Sequence, residues 1–282
     1  MKSLFSLLSI IVVTLATSIS NIQAQQAKQV GAQSAEGKKM MAEFMSIPEE
    51  QRVEFNKKVR LAQKLYQEKR IFDALQAIDE LDKIISTHPA CLSLRGACYV
   101  ELRAFDKAYA IFERLLAISP NSTNILFNLA ELEFVTRKWE NSHQRFNKLL
   151  TLLPEQNKNL RQLSEFKLLL CKLKTDRIDE ARAMQNKYSE WDDTPYHYYA
   201  PAAILFYEGK DEEAKNLLRN ALFIWRNPAQ LSSWQDTMIE FGYVRSFYGS
   251  ADDDANAGGN DDTDEFAPET PQIAPVIPLD TE

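Results

Sequence analysis

An apolar residue, two mostly charged residues and a small one recur along the chain as Phe105-Asp-Lys-Ala108, Trp139-Glu-Asn-Ser142 and Ile178-Asp-Glu-Ala181. Ile71-Phe-Asp-Ala74 comes before them, and Asp211-Glu-Glu-Ala214 follows without the apolar opener. The small residues lie 34, 34, 39 and 33 positions apart. Pro120 and Pro154 are also 34 apart, and Gly96/Ala130, Phe105/Trp139, Phe112/Phe146 and Leu115/Leu149 shift by the same step. A period of this length fits two antiparallel helices of about four turns each, a unit that buries its apolar face only by stacking on its neighbours. The longer step predicts a five-residue insertion around Glu155 to Arg161. In the fourth unit, Phe166-Lys-Leu-Leu-Leu-Cys-Lys-Leu173 admits two registers one residue apart.

The flanks carry patterns of their own. Pro48 followed by Glu49 and Glu50 marks a helix start, because Pro suits the first helical position and acids suit the N-terminal dipole. Val53, Phe55, Leu61 and Leu65 are the apolar positions expected to run through that helix. At the far end, Asn227-Pro228 precedes Trp234, Met238 and Phe241, which fall at i, i+4 and i+7. This predicts an amphipathic helix over 229–247 that caps the last open face. Residues 25–45 are polar and read as a flexible leader. Lys2, the apolar run Leu4 to Ala16 and the ending Ile22-Gln23-Ala24 have the order of a secretory signal, with cleavage expected after Ala24 and a periplasmic or secreted mature chain.

The segment Leu92-x2-Arg95-Gly96-x2-Tyr99, then Ala108-x3-Phe112, then Pro120, resembles the tetratricopeptide repeat pattern. Leu126-x2-Leu129-Ala130, Ser142-x3-Phe146 and Pro154 repeat it, with Glu133 in place of the tyrosine. Arg95 departs from the usual leucine, although its stem can cover apolar surface. The resemblance spans about residues 55 to 227 and is to exported bacterial members of that family. It implies an all-α, right-handed superhelical solenoid of about five antiparallel helix pairs over 46–248, with a C-terminal capping helix. The repeats would occupy approximately 55–88, 89–122, 123–156, 162–194 and 195–227.

Composition narrows the chemistry. Only 8 of 282 residues are Gly, roughly 3% against a usual value of about 7%, which disfavours Gly-rich phosphate loops and multi-turn β architectures. The net charge of -7 arises in the tail. Residues 251–282 hold seven Asp and three Glu and no Lys or Arg, and four prolines interrupt the segment, so 249–282 is expected to be disordered. Residues 25–250 carry 32 basic and 30 acidic side chains without a basic cluster, which argues against nucleic acid as a partner. Asp252, Asp254 and Asn256 alternate like a calcium loop, but Ala257 and Thr263 stand where Gly and a bidentate Glu are required.

Cys91 and Cys98 are seven apart on one predicted helix, about 10 Å along its axis, too far for a disulfide. With Cys171 they read as small buried apolar residues. His88, His143 and His197 have no zinc spacing. There is no Walker loop, dinucleotide fingerprint, His-Glu-x-x-His or G-x-S-x-G motif, and no enzyme, cofactor or metal is expected.

The resemblance instead implies a scaffold that holds a protein or peptide partner on the concave surface of its first helices. The 34-residue register assigns Asn124, Phe127, Asn128 and Glu131 of the third repeat to that groove. Phe166, Lys167 and Leu170 follow from the fourth, and Tyr196, Tyr199, Ala203 and Phe206 from the fifth. Ser93 and Ala97 occupy positions where a carboxylate clamp of the family would need Lys and Asn, so a C-terminal carboxylate receptor is disfavoured. The groove rings are also open to a purely packing role, since aromatics at helical spacing usually form core. The alternative function is a structural or assembly component of an envelope complex. No stable membrane insertion is expected after signal cleavage.

Overall fold

The structure, a computed structural model, describes residues 34–85, 88–245 and 247. The expected signal segment 1–24 and the acidic tail from 249 lie outside the described residues. The fold is all-α: twelve α-helices and one 3₁₀ turn, with no strand among the described residues. In chain order the helices are α1 (Ala35–Ser46), α2 (Glu49–Gln67), α3 (Ile71–Asp82), α4 (Pro89–Glu101), α5 (Phe105–Ile118) and α6 (Thr123–Val135). They continue as α7 (Trp139–Leu152), α8 (Lys158–Lys174), α9 (Ile178–Gln185), α10 (Tyr196–Tyr207), α11 (Asp211–Ile224) and α12 (Pro228–Phe241). The described residues divide into two compact units, one of residues 34–98 with 110–125, the other of 99–109 with 126–247.

One turn joins α2 to α3, α4 to α5, α6 to α7, α8 to α9 and α10 to α11. At its centre a residue adopts left-handed backbone: Lys69 (φ 60°), Arg103 (55°), Arg137 (60°), Asp176 (57°) and Gly209 (74°). The amide of the next residue then reaches back five positions, as Arg70 to Leu65, Ala104 to Tyr99, Lys138 to Glu133, Arg177 to Lys172 and Lys210 to Leu205, at 2.8 to 3.0 Å. This bond satisfies a carbonyl that the ending helix leaves orphaned. Each left-handed residue stands five positions before the small residue of its motif, so the turns repeat the 34, 34, 39 and 33 spacing. Four of the five are not glycine, and a left-handed L-residue costs about 1–2 kcal/mol. The five-residue insertion is visible too. α8 has 17 residues where α6 has 13, and the linker after Leu152 is one residue longer than that after Ile118.

In the first unit, Phe55, Val59 and Ala62 of α2 meet Ile71, Ala74, Ile78 and Leu81 of α3, joined by Phe44, Cys91, Leu94 and Cys98. Gly96 lies so close to Phe112 that an added Cβ would fall 2.8 Å from its Cε1 and 2.9 Å from its Cζ. Arg95, the departure from leucine, bridges Asp79 and Asp82 at 2.8 Å each.

Two expectations are corrected in this unit. Residues 35–45 are not flexible leader: they form most of α1, where the Ser34 side chain caps Gly37 and Met40 and Phe44 are buried one turn apart. A sparse apolar stripe suffices there because Phe44 packs on Phe55. On α2 the buried face is Phe55, Val59 and Ala62, whereas Val53 and Leu61 are exposed.

In the second unit the small residues mark the close crossing between paired helices: the Ser142 hydroxyl of α7 donates to the Ala130 carbonyl of α6 at 2.9 Å. Glu133, which replaces the tyrosine, is fully buried and accepts from Arg145 Nε at 2.8 Å and from the Tyr109 hydroxyl at 3.2 Å. α10 runs through Pro201 without interruption. All three cysteines are buried and outside any disulfide, and burial pushes Cys91 and Cys171 up to about 12.

Candidate functional site

The residues assigned to the groove come together on α6, α8 and α10, and a fourth helix covers them. Phe127, Asn128, Glu131, Phe166, Lys167, Leu170, Tyr196, Tyr199 and Ala203 are buried, while Asn124 and Phe206 are half-buried. The cover is α12. Its buried side chains Leu231, Trp234, Gln235, Met238 and Phe241 fall at i, i+3, i+4, i+7 and i+10, the stripe of an amphipathic helix facing an apolar surface.

The terminal helix was expected to cap the open end of the fifth pair; its anchors lie on α10 of that pair and also on α6, α7 and α8 of the third and fourth. Trp234 stacks among Phe166, Tyr199 and Tyr196 with ring centroids at 5.3, 5.7 and 6.4 Å. Phe241 packs on Phe134 and Trp139 at 6.1 and 5.4 Å, and Phe206 stacks on Tyr243 at 5.2 Å. The physical reason is area: the face offers four large rings that a helix across the end of the stack would leave wet, and burying each contributes about 1.5–3 kcal/mol. At the C-terminal end of α11, Leu222, Phe223 and Ile224 are exposed, Phe223 by 75%. α12 itself is locally specified. Asn227 caps its start by accepting from the Ala229 amide, and Gly242 at φ 90° ends it.

A charge cluster lies in the middle of this apolar contact. Lys167, 1% exposed, donates to Glu131 at 2.8 Å and to Glu240 of α12 at 3.1 Å, with its ammonium 4.7 Å from the Phe134 ring centre. Burial opposes the lysine's charge, yet the two carboxylates hold its pKa above the ordinary value. Glu131 is pushed up to about 7 by burial, against the pull of Lys167 and with the repulsion of Glu240. Asp236, one turn before Glu240, is raised to about 6 by burial and by the same neighbour. Polar matching across the contact is incomplete. Asn128 Nδ2 and Glu131 Oε1 on one side, and Gln235 Nε2 and Glu240 Oε1 on the other, are buried without a hydrogen-bond partner among the described residues.

Beside the N-terminal half of α12 lies a pocket of 610 Å³. Phe127, Leu160, Leu163, Trp225 and Trp234 supply its apolar wall, and α12 presents only Ala229, Gln230 and Ser233 to it apart from Trp234. No group of three or more metal-ligating side chains, and no helix long and apolar enough to cross a membrane, occurs among the described residues.

Sequence reasoning placed these residues on three helices that lie together and missed the helix that covers them. Trp234, Met238 and Phe241 were legible as a stripe, but Glu240 and Gln235 carried no signal until Lys167 was seen to need a carboxylate in an otherwise apolar helix. No family model matches the chain, and no curated protein matches it.

Proposed function

We propose that the chain is an exported interaction scaffold of the tetratricopeptide kind, not an enzyme, built as a right-handed solenoid of five helix pairs and holding a helical partner segment on α6, α8 and α10. The observation that carries this reading is the seating of α12: that face accepts an amphipathic helix through a Trp anchor in an aromatic socket and a carboxylate on Lys167. Such anchors dominate helix-in-groove recognition. The five recurring turns support the repeat architecture, because a unit with one fixed turn and one small crossing residue stacks on copies of itself.

A second reading, a component of an envelope assembly that docks end-on, is favoured by the uncovered Leu222, Phe223 and Ile224 on α11. A photo-cross-linking residue placed at Leu160, at the mouth of the pocket, or at Phe223 separates the two in an envelope extract. The scaffold reading expects a discrete protein adduct from position 160. Adducts from position 223 alone favour assembly, and none from either contradicts both.

A further inference from the structure

We infer that α12 is a resident stand-in: the face on α6, α8 and α10 exchanges it for a partner helix that presents a bulky apolar residue, then Trp, then a carboxylate six positions after the Trp. This deepens the scaffold reading and rests on it. Three observations support exchange rather than permanent packing.

The first is the mismatch at the contact. A core built only for stability pairs its buried polar atoms, whereas here two such atoms on each side have no partner. α12 is therefore held by Trp234, Phe241 and Lys167 against a polar complement that a different helix can satisfy better. Asn128 Nδ2 of α6 is a buried donor without a hydrogen-bond partner among the described residues, open to a side-chain oxygen.

The second is the underfilled pocket. Its apolar wall of Phe127, Leu160, Leu163 and Trp225 faces small or polar residues of α12 at 229, 230 and 233. The cleft is open to solvent, with Ala229 and Gln230 of α12 exposed and Asn159 and Asp193 sharing its lining, so its 610 Å³ beside the Trp anchor is room for larger side chains at the α12 positions. A partner with a large aliphatic side chain at the positions of Ala229 and Ser233 fills it and outcompetes the resident helix.

The third is connection. α12 is joined to α11 by residues 225–227 only and is capped at both ends by its own local residues. Leaving the face requires no unthreading of any other helix. The resident helix lowers the apparent affinity for a partner by the fraction of time it occupies the face, which keeps the rings covered until a better match arrives.

The test uses the full chain and two synthetic peptides: residues 227–243 as they stand, and the same segment with Ala229→Leu and Ser233→Leu. Binding is read by fluorescence anisotropy, and release of the resident helix by amide exchange over 228–241. The substituted peptide is expected to bind the wild-type chain at least ten-fold more tightly than the unsubstituted one and to accelerate exchange in 228–241. A chain carrying Gln235→Pro, which breaks α12 without altering the face, is expected to bind the unsubstituted peptide at least ten-fold more tightly than wild type does.

Trp234→Ala serves as the second unlatched chain. If both variants lose helical structure outside 228–241, α12 is an integral part of the core and the proposal falls. Peptide binding without faster exchange in 228–241 overturns it, as does equal affinity of both peptides. A concentration-dependent dimer of the unlatched chains in place of a peptide complex makes a second copy the occupant and also overturns it. If adducts form from position 160 while no peptide displaces α12, the scaffold reading stands and this inference alone fails.

Discussion

A half-buried histidine of the first unit and a fully buried lysine of the second are accommodated in opposite ways. His88 of the first unit lies between the rings of Phe44 and Phe55 at 4.8 and 4.9 Å, and its Nδ1 accepts from the Ala90 amide at 3.3 Å. Burial lowers its pKa to about 4, so it is a neutral ring among rings. Lys167 of the second unit stays charged, because Glu131 and Glu240 repay its desolvation. A core that only has to be stable neutralises its base. The α12 contact keeps an ammonium and leaves one oxygen of each carboxylate without a hydrogen-bond partner among the described residues, so removing one member of the cluster leaves the others' desolvation uncompensated.

The largest effects come from removing the charged centre. Lys167→Met leaves two carboxylates facing each other in an apolar contact, and breaking a buried pair from one side costs about 3–5 kcal/mol. Chemical denaturation should show that loss at pH 7.5, and a second substitution, Glu131→Gln, should restore part of it. Phe55→Ala in the neutral core should cost a similar 3–5 kcal/mol by cavity formation, but no partner substitution should rescue it. Rescue of neither, or of both, would erase the contrast.

Acidity should move the two regions in opposite directions. His88 has a folded pKa of about 4 below its ordinary 6.5, so its contribution is complete above pH 6.5 and is lost as pH falls through about 4. Glu131 has a folded pKa of about 7 above its ordinary 4.5, and Asp236 one of about 6 above 3.8. Their contributions are complete below the ordinary values and are lost as pH rises through 6 to 7. Going from pH 7.5 to 5.5, amide protection factors, corrected for the intrinsic pH dependence of exchange, should rise over 160–173 and 228–241 and fall over 88–98. Parallel changes in both regions would contradict the assignment.

Smaller effects test the turns and the close crossing. Gly96→Ala sets a methyl against the Phe112 ring and should cost about 1–3 kcal/mol by overpacking. Gly209→Ala meets no steric neighbour, so its cost is only that of left-handed backbone, about 1 kcal/mol. Arg137→Gly, at the same turn position and φ 60°, should gain up to about 1 kcal/mol. Thermal melts of the pair should shift with opposite sign.

Much of this was legible in the sequence. Ala74, Ala108, Ser142, Ala181 and Ala214 marked the second helices, because only small residues fit where paired helices cross, and the insertion was visible as a broken period. The left-handed residues were mostly not, since Lys69, Arg103 and Arg137, unlike Asp176, are not turn formers by type and reveal themselves only by standing five positions before those small residues. α1 was hidden by its polar composition, its packing resting on Met40 and Phe44. The cover on α6, α8 and α10 was not readable: an amphipathic stripe says that a helix buries one side, and says nothing about which distant surface receives it.

The claim that α12 occupies the face through Lys167 is tested most directly by amide exchange over residues 228–241 in wild type and in Lys167→Met at pH 7.5. The account predicts protection in wild type comparable to that of α8, a drop of at least ten-fold in the variant, and unchanged protection over 71–82 of the first unit. Wild-type α12 exchanging as an unprotected segment, or retaining full protection without the lysine, would contradict it.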